Sequence, residues 1–325
     1  MAGDTGIQLS VIDSAFRDNR LVFQPNNPNT GIINAEYGGT FFISGTNFIK
    51  NKFAKEFLKK GIASVVYFGG FPLPKHKTIL NIQNSSFIRN KYLTNALVLG
   101  GYLHNNDYTL LNNYEIGNIF TGSDSNSYCP GISRIRKAGD TIYEQCIVRF
   151  DTSSSLSISS YPSITPLIAN PTISSKPSNC WSTDFTEKVM NAEMDIFDVS
   201  IPRIYRMCNN EIAEINTFNY DDNTFDNEPG KFDALSIWNS NVHIICGIHK
   251  NNNNCTITGG TFQIQIIPKA ESEPVTNIMI QGFKFTDVSE VNIVVYGANV
   301  EKSGLSPPGA SILIKDCHFF VSKVP

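Results

Sequence analysis

An eight-residue frame recurs along this chain and restricts what it can fold into more than any other feature. It reads apolar, any, Ile or Val, any, turn former, small or sulfur-bearing, any, Phe. Clear copies stand at residues 9–16 (LSVIDSAF), 41–48 (FFISGTNF), 80–87 (LNIQNSSF), 278–285 (IMIQGFKF, with Phe283 in place of the small residue) and 312–319 (ILIKDCHF). Weaker copies stand at 235–242 (LSIWNSNV) and 255–262 (CTITGGTF). Alternation puts the first and third positions on one face of a strand. The fifth position is Asp13, Gly45, Asn84, Asn239, Gly259, Gly282 or Asp316, residues that tolerate left-handed backbone, so the chain bends there and the Phe can point back inward. Stacking such coils places like side chains above one another, giving an aromatic column and a polar turn ladder. The frame therefore predicts a mainly β chain of stacked coils.

Three regions follow. Residues 1–120 carry frames ending at Phe16, Phe48 and Phe87, with second apolar runs at 62–68 (IASVVYF) and 96–99 (ALVL). Residues 121–199 interrupt the pattern with a Ser/Thr/Pro-rich irregular insertion. Near 184–197 Phe185, Val189, Ala192 and Ile196 fall on one helical face behind the capping candidates Ser182, Thr183 and Asp184, which predicts a short amphipathic helix covering an open end of the stack. Residues 200–325 resume the coils, and the run 291–296 (VNIVVY) matches 62–68. The last frame ends six residues before the C-terminus and the first ends at residue 16. Joined, they would be spaced by 22 residues, about one coil. Two readings stay open: one continuous β-helix in which the 312–319 coil stacks on the 9–16 coil, or a fragment of a longer array with two raw ends.

The frame with its trailing Asn (DSAFRDN, GTNFIKN, NSSFIRN) resembles the right-handed parallel β-helix repeats of the pectin-lyase-like superfamily. The stretches RIYRMCNNEIAEI and NVHIICGIHKNNNNCTITGG are similar to opening coils of secreted algal β-helix proteins. The resemblance implies a right-handed parallel β-helix. It leaves function open, because that superfamily includes polysaccharide lyases, glycosidases, tailspikes and adhesins.

Candidate chemistry is sparse. Lys315, Asp316 and His318 sit together in the last frame and could form a proton-abstracting group on a sugar-facing surface, although an ordinary hydrated surface is the simpler and favoured reading. Asp221, Asp222, Asp226 and Glu228 belong to an acidic stretch dense enough in oxygen to hold Ca²⁺, the one cofactor the sequence suggests, but its spacing is not that of an EF-hand. The run ISRIRK (132–137) reads as a solvated basic loop. Tyr37, Tyr67, Tyr102, Tyr108, Tyr114, Tyr296 and Trp238 could stack on sugars if exposed. Among seven cysteines, Cys246 with Cys255 and Cys129 with Cys146 flank polar segments that facing strands could close. Sequons begin at Asn84 and Asn254.

A net charge of −3 gives no electrostatic footprint for nucleic acid, and no run reaches the length of a membrane span. The start MAGDTG is not a signal peptide, so a secreted protein would have lost its targeting segment. The expectation is a non-enzymatic extracellular or cell-surface β-helix that binds glycans, as polysaccharide or glycoprotein, or serves as a structural or adhesive module. The alternatives are a polysaccharide lyase or glycosidase, and a module that self-associates end to end.

Overall fold

The computed structural model describes residues 7–21, 29–35, 39–57, 62–68, 79–94, 96–101, 108–121, 128–138, 141–152, 180–182, 184–194, 199–215, 218–219, 231–232, 234–247, 254–260, 262–267, 274–288, 291–295 and 310–321. They form three eight-stranded sheets, a four-stranded one and a two-stranded antiparallel one, Phe218–Asn219 with Lys231–Phe232; the four larger sheets are parallel except where Cys129–Ala138 meets Thr141–Arg149. The first sheet runs Tyr108–Leu111, Ile79–Gln83, Gly39–Ser44, Ile7–Ile12, Ala310–Lys315, Val275–Gln281, Val242–Cys246, Arg203–Met207. The second runs Tyr114–Ile116, Ser86–Ile88, Asn47–Ile49, Ala15–Arg17, His318–Val321, Phe283–Val288, Cys255–Gly259, Ile212–Ile215. The third, four-stranded, holds Ile119–Phe120, Lys91–Leu93, Lys52–Phe53 and Arg20–Leu21. The fourth includes Ile62–Phe68, Asn29–Ala35 and Val291–Val295 as neighbours. From residue 7 to 138 the chain visits the four sheets in this order and then returns to the first. From 203 to 321 the described residues pass from the second sheet to the fourth without a strand in the third, because the third ends with the strand Arg20–Leu21.

The spatial order differs from the chain order. Ile7–Ile12 lies in mid-stack, pairing with Gly39–Ser44 on one side and Ala310–Lys315 on the other. Leu9 faces Ile312 and Phe16 faces Phe319. From the middle the chain winds outward to residue 120. It re-enters at the opposite end near Cys180 and winds inward until its last strands rest on its first.

The frame builds each corner. In Gly39–Ser44 alternate side chains are buried, Phe41 and Ile43 pointing inward. The corner residues Asp13, Gly45, Asn84, Asn112, Gly282 and Asp316 all have left-handed backbone, with φ between 49° and 84°. At Gly45 a Cβ would also run into the Asp13 carboxylate. Past each corner the Phe turns in, and the rings of Phe150, Phe87, Phe48, Phe16, Phe319 and Phe285 stack with centroids 4.4–5.1 Å apart. Phe283 and Phe185 continue the column to the helix at spacings of 5.9 Å.

The two weaker frames are other corners. Leu235–Ile237 belongs to the fourth sheet and Cys255–Gly259 to the second, so neither opens a first-sheet strand. Asn239 is not left-handed; Asn241 takes that role, with φ 61°, while the Asn239 amide bonds Glu193. Different corners of a coil use the same turn residues, and one frame cannot tell them apart.

Residues 121–199 are not irregular throughout. Cys129–Ala138 extends the fourth sheet and pairs antiparallel with Thr141–Arg149, and Phe150 then supplies the last aromatic rung, where the frame has Glu115. The run ISRIRK thus lies in a strand rather than a loop. Arg134 is buried and donates to Gln145 Oε1. The helix spans Phe185–Met194, with Phe185 and Val189 buried and Ala192 packed on the core; Ile196 lies outside the described residues. Glu193, fully buried, holds the helix on the terminal coil through a two-pronged ion pair to Arg203 and hydrogen bonds from Tyr205 and Asn239. Disulfides join Cys129 to Cys146, Cys246 to Cys255 and Cys180 to Cys208. The last has no counterpart in the sequence reading. It forms because Trp181 lies alongside the outermost first-sheet strand, hydrogen bonded to Arg206 and Cys208.

Candidate functional site

The most regular outward surface lies where the second sheet turns into the third, and a buried asparagine ladder organises it. Asn19, Asn51, Asn90 and Asn118 follow the rung position by three residues in successive coils. The backbone N–H and side-chain amide of Asn19 both donate to Asn51 Oδ1; Asn51 does the same to Asn90, and Asn90 to Asn118, at 2.8–3.0 Å. Each amide also donates to the carbonyl of an adjacent rung: Phe319, Phe16, Phe48 and Phe87 in turn. The ladder fixes both the turn and the residues on either side of each Asn.

Those flanking residues are mostly cations: Arg20 after Asn19, Lys50 and Lys52 around Asn51, Arg89 and Lys91 around Asn90. Arg20, Lys52 and Lys91 are in register on consecutive third-sheet strands, spaced about 4.8 Å apart as neighbouring strands are. Ile119 continues the row and ends the charge. Lys50 and Arg89 occupy left-handed corners, φ 55° and 53°, beside them. Arg17 and Lys55 flank the row. All seven cations are exposed, and the same segments carry only two carboxylates, Asp18 and Glu56. Among the described residues none of the seven forms an ion pair. Tyr92, also left-handed at φ 64°, lies with its ring 5.5 Å from Lys52 Nζ and 5.3 Å from Lys55 Nζ. A chain with net charge −3 thus gathers a local surplus of five positive charges across three coils.

The sequence reading noted the trailing Asn but missed this row. Its signal is legible in FRDNR, FIKNK and FIRNK, where basic residues bracket each Asn.

Lys315, Asp316 and His318 fall at one corner, between the first and second sheets. Lys315 ends its strand half-buried, Asp316 takes the left-handed corner at φ 53°, and His318 points outward. Burial and the nearby Lys284 and Arg17 cations hold the His318 imidazole below its ordinary range, against Asp316. Asp13, in the adjacent coil, has its carboxyl raised by burial and by Asp316, against Lys315. Gln281 donates to Asp316 at 3.1 Å. Among the described residues no carboxylate lies within hydrogen-bond distance of His318 to orient it as a base.

Asp221, Asp222, Asp226 and Glu228 lie outside the described residues. No group of three or more His, Cys, Asp or Glu among the described residues could hold a metal ion. Of the aromatic candidates, Tyr67 and Trp238 are buried, Tyr108 and Tyr114 are half-buried, and Tyr37, Tyr102 and Tyr296 lie outside the described residues. His243 is buried in the first sheet, and His76, His104 and His249 lie outside the described residues. Asn84 is exposed at a corner, where Asn112 donates to it, and Asn254 is exposed and accepts from Lys284. Among the described residues no helix is long and apolar enough to cross a membrane.

No protein-family profile, curated protein or solved structure matches the chain.

Proposed function

We propose that this chain is a right-handed parallel β-helix of the pectin-lyase-like kind, working outside the cell or at its surface, and that it binds glycans without catalysing their cleavage. The observation that carries the reading is the in-register row of Arg20, Lys52 and Lys91 beside Tyr92. A polymer is best recognised by a surface that repeats, and a strand spacing of about 4.8 Å is comparable to the length of one sugar unit. An aromatic ring beside hydrogen-bond donors suits a pyranose face. Three disulfides support an oxidising, extracellular setting.

One observation favours a second reading, a lyase or glycosidase: Asp13 and Asp316 meet at a corner shared with Lys315 and His318. A polysaccharide panel separates the two readings, scored for retention of the protein and, with calcium added, for unsaturated ends and reducing sugar. Retention without product supports the binding reading. Product formed by the wild type and lost in His318→Ala replaces it with the enzymatic one.

A further inference from the structure

The cation row specifies more than carbohydrate. Its charges are unpaired among the described residues, they recur once per coil, and they stop at an apolar residue. The spacing comes from the backbone ladder and the Asn side chains, so it costs the ligand nothing to organise. We propose that this row is a binding site for an anionic polysaccharide, uronate or sulfated, laid along the stack with one acidic group facing each of Arg20, Lys52 and Lys91. The inference rests on the glycan-binding reading and names its ligand class.

The residue types divide the work. Arg20 presents a planar fork suited to a carboxylate or sulfate, while Lys52 and Lys91 act as point charges with freely turning donors. Lys50, Arg89 and Arg17 stand two or three residues away along the chain and raise the local potential that draws in a polyanion. Tyr92 keeps Lys52 and Lys55 near its ring, which limits how far they can swing from the row. Ile119 closes one side. The site therefore spans three coils and fits three or four sugar units. The three disulfides favour glycans over nucleic acids as the polyanion, because they place the protein where acidic glycans abound.

Binding would be measured by calorimetry for polygalacturonate oligomers of two to eight units, a sulfated galactan, uncharged dextran, and a single-stranded oligonucleotide of matched charge. The proteins are the wild type, R20Q/K52Q/K91Q, and the charge-matched control R149Q/K188Q/R206Q, all checked for equal thermal melting. The site predicts binding of the acidic polymers that strengthens up to three or four units and then levels off, and that weakens with salt. It predicts a loss of about 30-fold or more in the row variant and little change in the control. Dextran bound equally well by wild type and row variant would overturn the anionic site and leave the broader glycan reading standing. Silence with every polymer would overturn both. An oligonucleotide bound at least as tightly as the acidic glycans would overturn the assignment of ligand class.

Discussion

Asn51 offers the sharpest probe of the surface and of what holds it in place. Its side chain makes four buried hydrogen bonds: donations to Asn90 Oδ1 at 2.8 Å and Phe16 O at 3.1 Å, and acceptance from the Asn19 N–H at 3.0 Å and the Asn19 amide at 2.8 Å. In Asn51→Ala, Asn90 Oδ1 keeps the Asn51 backbone N–H and the Asn19 amide keeps Phe319 O. One buried backbone donor, the Asn19 N–H, loses its partner, while the Phe16 carbonyl loses the amide but keeps its place in the parallel ladder with Ile49. At about 1–3 kcal/mol for the orphaned donor and about 1 kcal/mol for the lost bond to Phe16, the substitution costs roughly 3 kcal/mol. Asn118, at the end of the ladder and only half-buried, can be replaced by water, so Asn118→Ala costs roughly 1 kcal/mol. Urea unfolding followed by far-UV circular dichroism, with disulfides intact, measures both. Asn51→Ala should also weaken acidic-glycan binding, since it loosens the positions of Lys50 and Lys52. Equal costs for the two sites, or a cost below about 1 kcal/mol at Asn51, would refute the ladder as the element that sets the row.

Further outcomes follow from other parts of the molecule. Phe319→Ala, which removes a ring stacked on both sides by Phe16 and Phe285, should cost about 4 kcal/mol in the same assay, and Phe150→Ala, at the end of the column, about 1 kcal/mol less. Burial pushes the Cys317 thiol up to about 12, so iodoacetamide at pH 8 should leave it unlabelled in the folded protein and label it in urea. Burial holds the His243 imidazole below its ordinary range, so the unfolded chain takes up that proton first as pH falls. The contribution is full above about pH 6.5 and lost below it, and His243→Gln should flatten the fall in stability between pH 6.5 and 5. Removing the buried carboxylate in Glu193→Ala leaves the Arg203 guanidinium without its partner and should cost about 3 kcal/mol in urea unfolding, with early exposure of Trp181 by fluorescence.

Much of the architecture was readable because one corner type repeats with a distinctive rung. Phe16, Phe48, Phe87, Phe285 and Phe319 were identifiable from the frame alone, and they do form one column. The corners around Asn239 and Gly259 misled because glycine and asparagine serve different corners of a coil. The hairpin of Cys129–Ala138 and Thr141–Arg149 carries no frame, since it pairs antiparallel at an end rather than joining the winding. Cys180 and Cys208 flank no hairpin tip, so nothing local announced their bond. The cation row was legible in FIKNK and FIRNK but required knowing that the intervening Asn turns inward and its neighbours outward, which only the ladder establishes.

Everything here depends on the two ends of the chain closing into one stack, and disulfide trapping tests that closure directly. Ala15 and His318 face each other in register on adjacent second-sheet strands although 303 residues apart, about 4.8 Å between strands and within the reach of a disulfide. Lys284 is one strand further on, about 9.6 Å from Ala15 and beyond that reach. In a Cys317→Ser background, A15C/H318C should oxidise to a ring that migrates apart from the linear chain on a non-reducing gel, while A15C/K284C should not. Failure of the first pair to close in a folded protein, or equal closure of both, would contradict the stacked junction.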